Sequence, residues 1–441
     1  MNILRVKRKA LELLERVEED GAYVHLLLRQ EADSSTLAAD EYPLLVQLVR
    51  GVLEQGPVVD LTLEPFLPKG LKSLPKPVVH TLRLATYQIL FLERAKKRDV
   101  VFEAVEITKS GPFRGLAKLV NAVLRKIEPP SEAGSSSGLA ARTFPEWLIT
   151  RWSEQFGSEE VERFCAATNQ TLPLYVRVNT LRTTREELRD ILRKEGVASD
   201  IVEFSRHSLR VTTLPRSVRI HRLASYERGL FFVQDLSSTV VSDIVAAETP
   251  QLVADLCAAP GGKTCSIALS IAPYGGTVHA CDKTASRVGL ISQAVERLGL
   301  TNVVVEQRDA LVDEPERSGF FDAVLLDAPC SGFGTVGRKI DARWSKSAET
   351  IQELVGIQSS MLSCATRLVK PRGILVYSTC TIDRAENEEV VEAFLASHPE
   401  FRNEGLSSRI SSELHTSEGF YRAWPHRHSM AGAFAAMLRR M

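Results

Sequence analysis

The second half of the chain predicts an α/β fold built on a parallel sheet, and two observations carry that prediction. Short apolar runs recur with helical stretches between them: Leu252–Asp255, Thr277–Cys281, Val303–Val305, Phe321–Leu326 and Gly373–Tyr377, followed by Ala433–Leu438 near the end. Polar and glycine-containing turns follow several of these runs, as they do at the ligand-facing edge of a doubly wound sheet. Ahead of this half, residues 4 to about 127 repeat apolar side chains at three- and four-residue spacing, which predicts helices throughout.

Composition bounds the reading. A chain of 441 residues is too long for one ordinary domain and predicts two to three. Hydrophobic content of 44% with 25% charged residues describes a globular protein. No uninterrupted apolar stretch reaches 18 residues, so no membrane span is expected. The start, Met1 to Lys9, is basic but lacks the apolar core of a leader, and a cytoplasmic location is expected. Seven scattered cysteines with no CxxC pair argue against a disulfide framework or a zinc site, and fit a reducing compartment. Lys+Arg and Asp+Glu balance at 55 each, so total charge gives no argument for a nucleic-acid partner. The arginine-rich stretch 177–228 also carries acids, and reads either as a solvated mixed surface or as a phosphate-facing patch.

Each segment follows in order. Leu11, Leu14 and Val17, then Leu44, Leu45, Leu48, Val49 and Val52, form the apolar stripes of amphipathic helices. Pro68, Pro75 and Pro77 interrupt the region before an apolar helix from His80 to Leu92, and Lys118–Arg125 forms the last one. This part, 1–128, holds no catalytic constellation. Pro129–Gly138 joins two prolines to a Gly/Ser run that cannot bury a core, so 129–142 is expected to be a linker. Residues 143–234 predict a small α+β module. It has a helix over Pro145–Phe156 with Leu148 and Trp152 one turn apart, a strand at Tyr175–Asn179, a helix over Arg185–Gly196 and a strand at Ser208–Val211. The α/β part spans 235–441.

The chemistry-bearing motifs sit at predicted strand ends. Asp255-Leu256-Cys257-Ala258-Ala259-Pro260-Gly261-Gly262-Lys263-Thr264 is a glycine turn from strand to helix, which lets a ligand approach backbone N–H groups. Asp282 ends the next strand, where an acid can accept hydrogen bonds from ribose hydroxyls, and Asp309 follows the third, near an adenine amino group. Gly262-Lys263-Thr264 resembles the end of a phosphate-binding loop, but Cys257 stands where that loop needs glycine and Pro260 removes a donor. Lys263 is either an exposed surface lysine or a carboxylate-binding, electrostatic group. Cys330, in Asp327-Ala328-Pro329-Cys330-Ser331-Gly332, and Cys380, in Tyr377-Ser378-Thr379-Cys380-Thr381, are expected to face one pocket. Cys165, Cys257, Cys265, Cys281 and Cys364 read as small buried residues.

These three motifs, with Glu386-Asn387-Glu388, resemble the S-adenosylmethionine-dependent RNA cytosine-5 methyltransferases that carry two active-site cysteines. Arg177-Val178-Asn179-Thr180 and Gly229–Asp235 resemble the family's extra N-terminal module. Residues 1–128, ending in Val120-Asn121-Ala122-Val123-Leu124-Arg125, resemble a NusB-type helical RNA-binding domain. That combination is similar to the bacterial branch acting on small-subunit (16S) ribosomal RNA. The resemblance implies a Rossmann-like methyltransferase domain preceded by an all-α NusB-like domain and a small α+β RNA-binding module.

The resemblance also implies the site. Cys380 would be the nucleophile toward cytosine C6, Cys330 the partner in release, and Asp327 the group holding the base. S-adenosylmethionine would lie along Cys257, Ala258, Ala259, Pro260, Gly261, Gly262, Lys263, Asp282, Arg287, Asp309 and Asp327, with no metal. Asp282 would hold the ribose, Asp309 the adenine, and Lys263 or the backbone of Ala258 to Gly262 the methionine part. The partner would be 16S ribosomal RNA, with neither DNA nor membrane, and the enzyme a monomer. A non-catalytic RNA-binding ribosome-assembly factor, or a methyltransferase for another RNA such as tRNA, are the alternatives. Near the end, Ala431 stands where the family carries an acid, so no charge is expected there.

Overall fold

The structure is a computed structural model that describes residues 2–20, 22, 24–34, 37–38, 40–128, 140–215, 218–313, 315–406 and 409–441. Of the expected linker at 129–142, residues 129–139 lie outside the described residues, and Ala141–Thr143 form a single 3-10 turn. The chain divides into two units, Met1–Asn169 with Arg338–Ser345, and Gln170–Gly337 with Lys346–Met441.

The first unit is helical. Its elements are α1 (Ile3–Glu19), α2 (Val24–Ser34), α3 (Tyr42–Leu63), α4 (Lys76–Phe91), α5 (Lys97–Lys109), α6 (Ala117–Lys126), α7 (Glu146–Phe156) and α8 (Ser158–Thr168). The Asn2 side chain caps α1 by accepting from the Arg5 N–H at 3.2 Å. Val6, Ala10, Leu13 and Leu14 form the stripe of α1 that meets the core. Helix α4 is buried from Val78 to Ile89 on nearly every side except at Arg83, which explains why its apolar pattern shows no clean stripe. Trp152 on α7 is fully buried, edge-on to Phe164 at 5.4 Å and to Phe144 at 5.8 Å. The returning segment Arg338–Ser345 inserts Arg343 into this unit. Its guanidinium donates to Asn169 Oδ1 at 2.7 Å and the Thr168 carbonyl at 3.2 Å, and stacks on Phe144. Sequence patterning gave no sign of this insertion.

The second unit holds two sheets. Strands β1 (Leu174–Val178), β2 (Ala198–Ile201), β3 (Ser208–Thr213) and β4 (Phe231–Val233) make an antiparallel sheet in the order β2-β3-β1-β4, with α9 (Arg185–Lys194) and the short α10 (Ala224–Glu227) between them. The larger sheet is preceded by α11 (Leu236–Ala246). Its elements run β5 (Leu252–Asp255), α12 (Gly262–Ile271), β6 (Thr277–Asp282), α13 (Ala285–Leu298), β7 (Val303–Gln307), β8 (Phe321–Asp327), α14 (Ala348–Thr366), β9 (Val369–Thr379), α15 (Glu388–Ser397), β10 (Phe401–Asn403), β11 (Tyr421–Ala423), α16 (Pro425–His428) and β12 (Ala433–Arg440).

Strand order is β10-β12-β9-β8-β5-β6-β7, with β11 on β12. The five strands from β9 to β7 are parallel, as expected. The last expected strand departs from that pattern: β12 runs antiparallel to β9, so the sheet is mixed. Alternate residues go to opposite faces, each covered by its own core. Val253, Ala323, Leu325, Ile374 and Val376 lie in one, and Ala254, Val324, Leu326, Leu375 and Tyr377 in the other. Burial on both faces is what makes these strands read as unbroken apolar runs.

Trp152→Ala should destabilise the first unit by about 3–5 kcal/mol, the cost of emptying a large core site. Urea unfolding followed by the remaining tryptophans and circular dichroism would read this.

Candidate active site

The two cysteines meet because β8 and β9 are parallel neighbours whose ends are level. In their register Leu326 faces Tyr377 and Asp327 faces Ser378. Cys330 lies three residues past Asp327, and Cys380 directly follows Thr379, the last residue of β9. Their Sγ atoms are 3.4 Å apart, and the Cys380 backbone N–H points to Cys330 Sγ at the same distance. The Cys380 carbonyl accepts from Gly334 N–H at 2.9 Å, and Gly432 N–H in turn donates to the Gly334 carbonyl at 2.8 Å. A Cβ on Gly334 would stand 2.0 Å from the Gly432 carbonyl oxygen, so only glycine allows this approach.

A buried polar network fixes both loops from behind. Glu386 accepts from the Ser331 N–H at 2.8 Å, from Ser331 Oγ, and from Gln358 Nε2 at 3.0 Å. Gln358 Nε2 also reaches the Pro329 carbonyl at 2.9 Å. Ser331 Oγ lies 2.8 Å from Thr381 Oγ1, which ties the Cys330 loop to the Cys380 loop. Tyr377 OH donates to the Glu386 carbonyl at 2.6 Å, and Asn387 binds Thr379 Oγ1 and the Thr381 carbonyl. Burial raises the Glu386 carboxyl above its usual range, against the lowering effect of its Ser331 and Gln358 donors.

Charge sits beside the thiols. Lys263 Nζ donates to Asp327 Oδ2 at 2.7 Å, while Ser378 Oγ donates to Oδ1 at 2.7 Å. Burial by itself would lower the Lys263 ammonium, but the charge and hydrogen bond of Asp327 outweigh it, and Cys380 adds to the rise. Lys263 is thus neither an idle surface lysine nor free to serve a ligand carboxylate alone. The Cys330 thiol is held well above its ordinary value, first by its hydrogen bond to Cys380 and then by burial.

The neighbouring strand ends form the expected ligand edge. Asp255 is fully buried and accepts from Thr264 Oγ1 at 2.6 Å, while its Oδ1 has no partner among the described residues. Burial pushes its carboxyl up to about 7. Gly261 sits at φ +101° where α12 begins, and a Cβ there would press on Ile291 Cα at 3.3 Å. Ala258 N–H donates to the Cys281 carbonyl at 2.9 Å, and Pro260 follows Ala259 through a cis peptide bond. Asp282 receives the Ala259 N–H at 3.3 Å and pairs with Arg287 at 3.3 Å. Asp309, beyond β7, is held below its usual range by Lys283 at 2.9 Å and by the Leu311 N–H. Level strand-end carboxylates beside a glycine turn fit a nucleoside with hydroxyl and amino donors.

The other cysteines separate from the pair. Cys165, Cys265 and Cys281 are buried, and burial pushes each thiol up to about 12. Cys257, half-buried in the glycine turn, is raised as well, again chiefly by burial. Cys364 is half-buried, with its Sγ 3.8 Å from the Leu311 carbonyl. Arg177 does not face phosphate: it is buried and donates to Asp243 at 3.0 Å and Ser270 Oγ at 2.9 Å. Ala431 is also buried, and its N–H donates to Asp235 Oδ1 at 3.1 Å. Among the described residues no group of three or more His, Cys, Asp or Glu side chains could hold a metal, and no helix is long and apolar enough to cross a membrane. The motifs include Ser331, Ser378 and Thr381 without giving them a role, and no role is read for Gln358, Gly334 and Gly432; Gln358, in mid-helix, carries no local signal at all.

Glu386→Gln leaves one oxygen to serve donors that now use two, so it should slow turnover by about tenfold or more while affinity for a nucleoside ligand stays within about twofold. Initial rates and calorimetric titration would separate the two. Asp255→Asn tests the buried acid. The stability that protonated Asp255 contributes is complete below about pH 4 and is lost as pH rises toward its folded value of about 7. The stability of the variant relative to the native chain should therefore climb between those pH values and level off above them, as read by thermal unfolding across a pH series.

Known proteins resemble this chain along its length. Residues 243–439 match the family model for 16S rRNA methyltransferase RsmB/F, residues 5–129 the NusB family, and residues 144–218 the ferredoxin-like domain of RsmF/B-like methyltransferases. The probable ribosomal RNA small subunit methyltransferase B of Bacillus subtilis is 36% identical over 449 residues, covering 99% of this chain and 98% of the relative. The ribosomal RNA small subunit methyltransferase B of Photorhabdus laumondii is 30% identical, covering 86% of this chain and 89% of the relative. Among solved structures, PH0851 superposes with a TM-score of 0.80 at 28% identity, over 99% of both chains. A methyltransferase homolog from Pyrococcus horikoshii gives a TM-score of 0.57 at 27% identity, over 68% of this chain and 96% of that one. Helical, ferredoxin-like and Rossmann-like parts thus occur in the expected order, and S-adenosylmethionine is the cofactor that the strand-end acids suit. With full-length likeness at this identity, the chain belongs to the ribosomal RNA small subunit methyltransferase B family of S-adenosylmethionine-dependent RNA methyltransferases.

Proposed function

We propose that this protein methylates C5 of a cytosine in 16S ribosomal RNA through a transient bond between Cys380 Sγ and C6 of the base. The observation that carries the reading is the pair of thiols, 3.4 Å apart, beside the Lys263–Asp327 ion pair. Cytosine C5 is a poor nucleophile, and addition of a thiolate at C6 makes it a good one. S-adenosylmethionine, when bound, supplies a methyl group on a sulfonium. Asp282 would receive its ribose, Asp309 its adenine, and the turn from Cys257 to Gly262 its methionine part.

The two cysteines divide the work by charge. We assign the donor role between the two thiols to Cys330, which leaves Cys380 as the thiolate, and the nearby Lys263 ammonium favours the same assignment. Asp327, oriented by Lys263 and Ser378, would accept from the amino edge of the base as charge develops on the ring. Bonding Cys380 to C6 removes the negative charge next to Cys330. The largest cause of the raised Cys330 value goes with it, so the Cys330 thiol can give its own proton to water and, as thiolate, take the C5 proton. Departure of that proton restores the C5–C6 double bond and expels Cys380 as thiolate. The target base must leave its stack to enter the site. In this reading residues 1–128 and 143–234 hold the RNA while 235–441 carry the chemistry, in the cytoplasm.

Cys380→Ala should abolish both methylation and covalent trapping of 5-fluorocytosine RNA, whereas Cys330→Ala should still bond the RNA, accumulate the adduct and release little product. The opposite pattern would reverse the roles. Bisulfite sequencing of 16S ribosomal RNA from cells with and without the gene would show one cytosine losing protection; an unchanged pattern, with cofactor binding intact, would favour a non-catalytic assembly factor.

A further inference from the structure

The helical unit carries a second feature that the chemistry above does not use. A groove of about 650 Å³ runs between α5 and α6, lined by Arg98, Phe102, Val105 and Lys109 from one helix and by Asn121 and Arg125 from the other. Positions 98, 102, 105 and 109 fall on one face of α5, and 121 and 125 are one turn apart on α6. Phe102 is 63% exposed and has no aromatic neighbour among the described residues. Arg98 and Arg125, also exposed, have no ion pair or hydrogen bond among them either. Lys109 is tied to Glu106 at 2.8 Å, and Lys97, at the groove's edge, to Glu128 at 2.9 Å.

We propose that this groove binds a single-stranded stretch of the RNA substrate, away from the target nucleotide. A base has a flat face to lay on Phe102, its edge suits the Asn121 amide, and the flanking phosphates suit the two unpaired guanidinium groups. Overall the chain is neutral, with 55 basic and 55 acidic residues. The lining has four basic groups, Lys97, Arg98, Lys109 and Arg125, against the one acid Glu106, so its positive excess is local rather than compositional. Arg98 and Lys109 lie about 16 Å apart along α5, enough for a short run of nucleotides. An acidic protein could satisfy the arginines too, but single-stranded RNA sets a stackable base beside every phosphate, which is the combination that Phe102 and the two arginines take. The proposal rests on the enzyme's substrate being RNA, and not on which base is methylated.

The test is fluorescence anisotropy with the full-length protein and a fluorescein-labelled unstructured RNA of about twelve nucleotides. Phe102→Ala should weaken binding by about tenfold. Arg98→Glu with Arg125→Glu should weaken it further and flatten the slope of log affinity against log salt by about 1.4, the share of two phosphate contacts. Lys69→Glu with Lys72→Glu, the same charge change at exposed positions outside the groove, should leave binding within about twofold. Thermal unfolding of all variants should match the native chain. Unchanged affinity in both groove variants would overturn the proposal and leave a protein as the groove's occupant. A loss in the arginine variant alone, or an equal loss in the Lys69/Lys72 control, would overturn it too, because only diffuse phosphate attraction would remain. Methylation of 16S ribosomal RNA by variants with unchanged RNA binding would sink the groove and leave the proposed activity standing; groove-dependent binding without any methylation by the native chain would do the reverse.

Discussion

The parallel pairing of β8 with β9 is the constraint on which the site depends. Because Asp327 and Ser378 are register partners, the chain leaves both strands at one level. Two short loops then have only a few residues in which to diverge, and the Ala328 N–H to Ser378 carbonyl bond at 2.9 Å keeps them together for one residue more. A slip of one residue would send every side chain of β9 to the opposite face and exchange the two cores beneath it. Register is thus held by dozens of buried methyl groups, while the chemistry it positions involves two sulfur atoms.

Around those sulfurs the protein buries more polarity than a core ordinarily tolerates. Glu386, Asp255 and Lys263 would each favour the neutral form if burial acted alone. Lys263 escapes by pairing with Asp327, whereas Asp255 has one donor and an unpartnered oxygen, and its carboxyl rises accordingly. The Glu386 network serves a geometric end: one carboxylate, one serine and one glutamine link two loops that share no direct strand pairing past Ala328. Rigid placement of this kind holds the two thiols 3.4 Å apart at the strand ends.

Much of this was legible from residue patterns, and the failures have physical reasons. The central parallel strands β5, β8 and β9 announced themselves because burial on both faces demands unbroken apolar runs, whereas the edge strand β7 has no fully buried residue. Strands β4, β10 and β11, three residues each, are too short to display a period of two, and their pairing is set by neighbours distant in sequence. The antiparallel direction of β12 is likewise invisible locally, since an apolar run reads the same in either direction. Cys330 and Cys380 stood out by their polar surroundings, and Asp282 and Asp309 by their places after strands. Ser331, Gln358 and Gly432 act only through partners from other segments. Arg177 misled for the converse reason: an arginine in an arginine-rich stretch reads as surface, and only the fold buries it against Asp243.

In the proposed reaction Cys380, and not Cys330, bonds the RNA base. Peptide mapping by mass spectrometry of the native enzyme trapped on 5-fluorocytosine RNA tests it most directly, because it needs no substitution and therefore no assumption about how a variant folds. The nucleotide mass is expected on the peptide containing Cys380, with the Cys330 peptide unmodified. The same mass on Cys330, or trapping on neither, would contradict it.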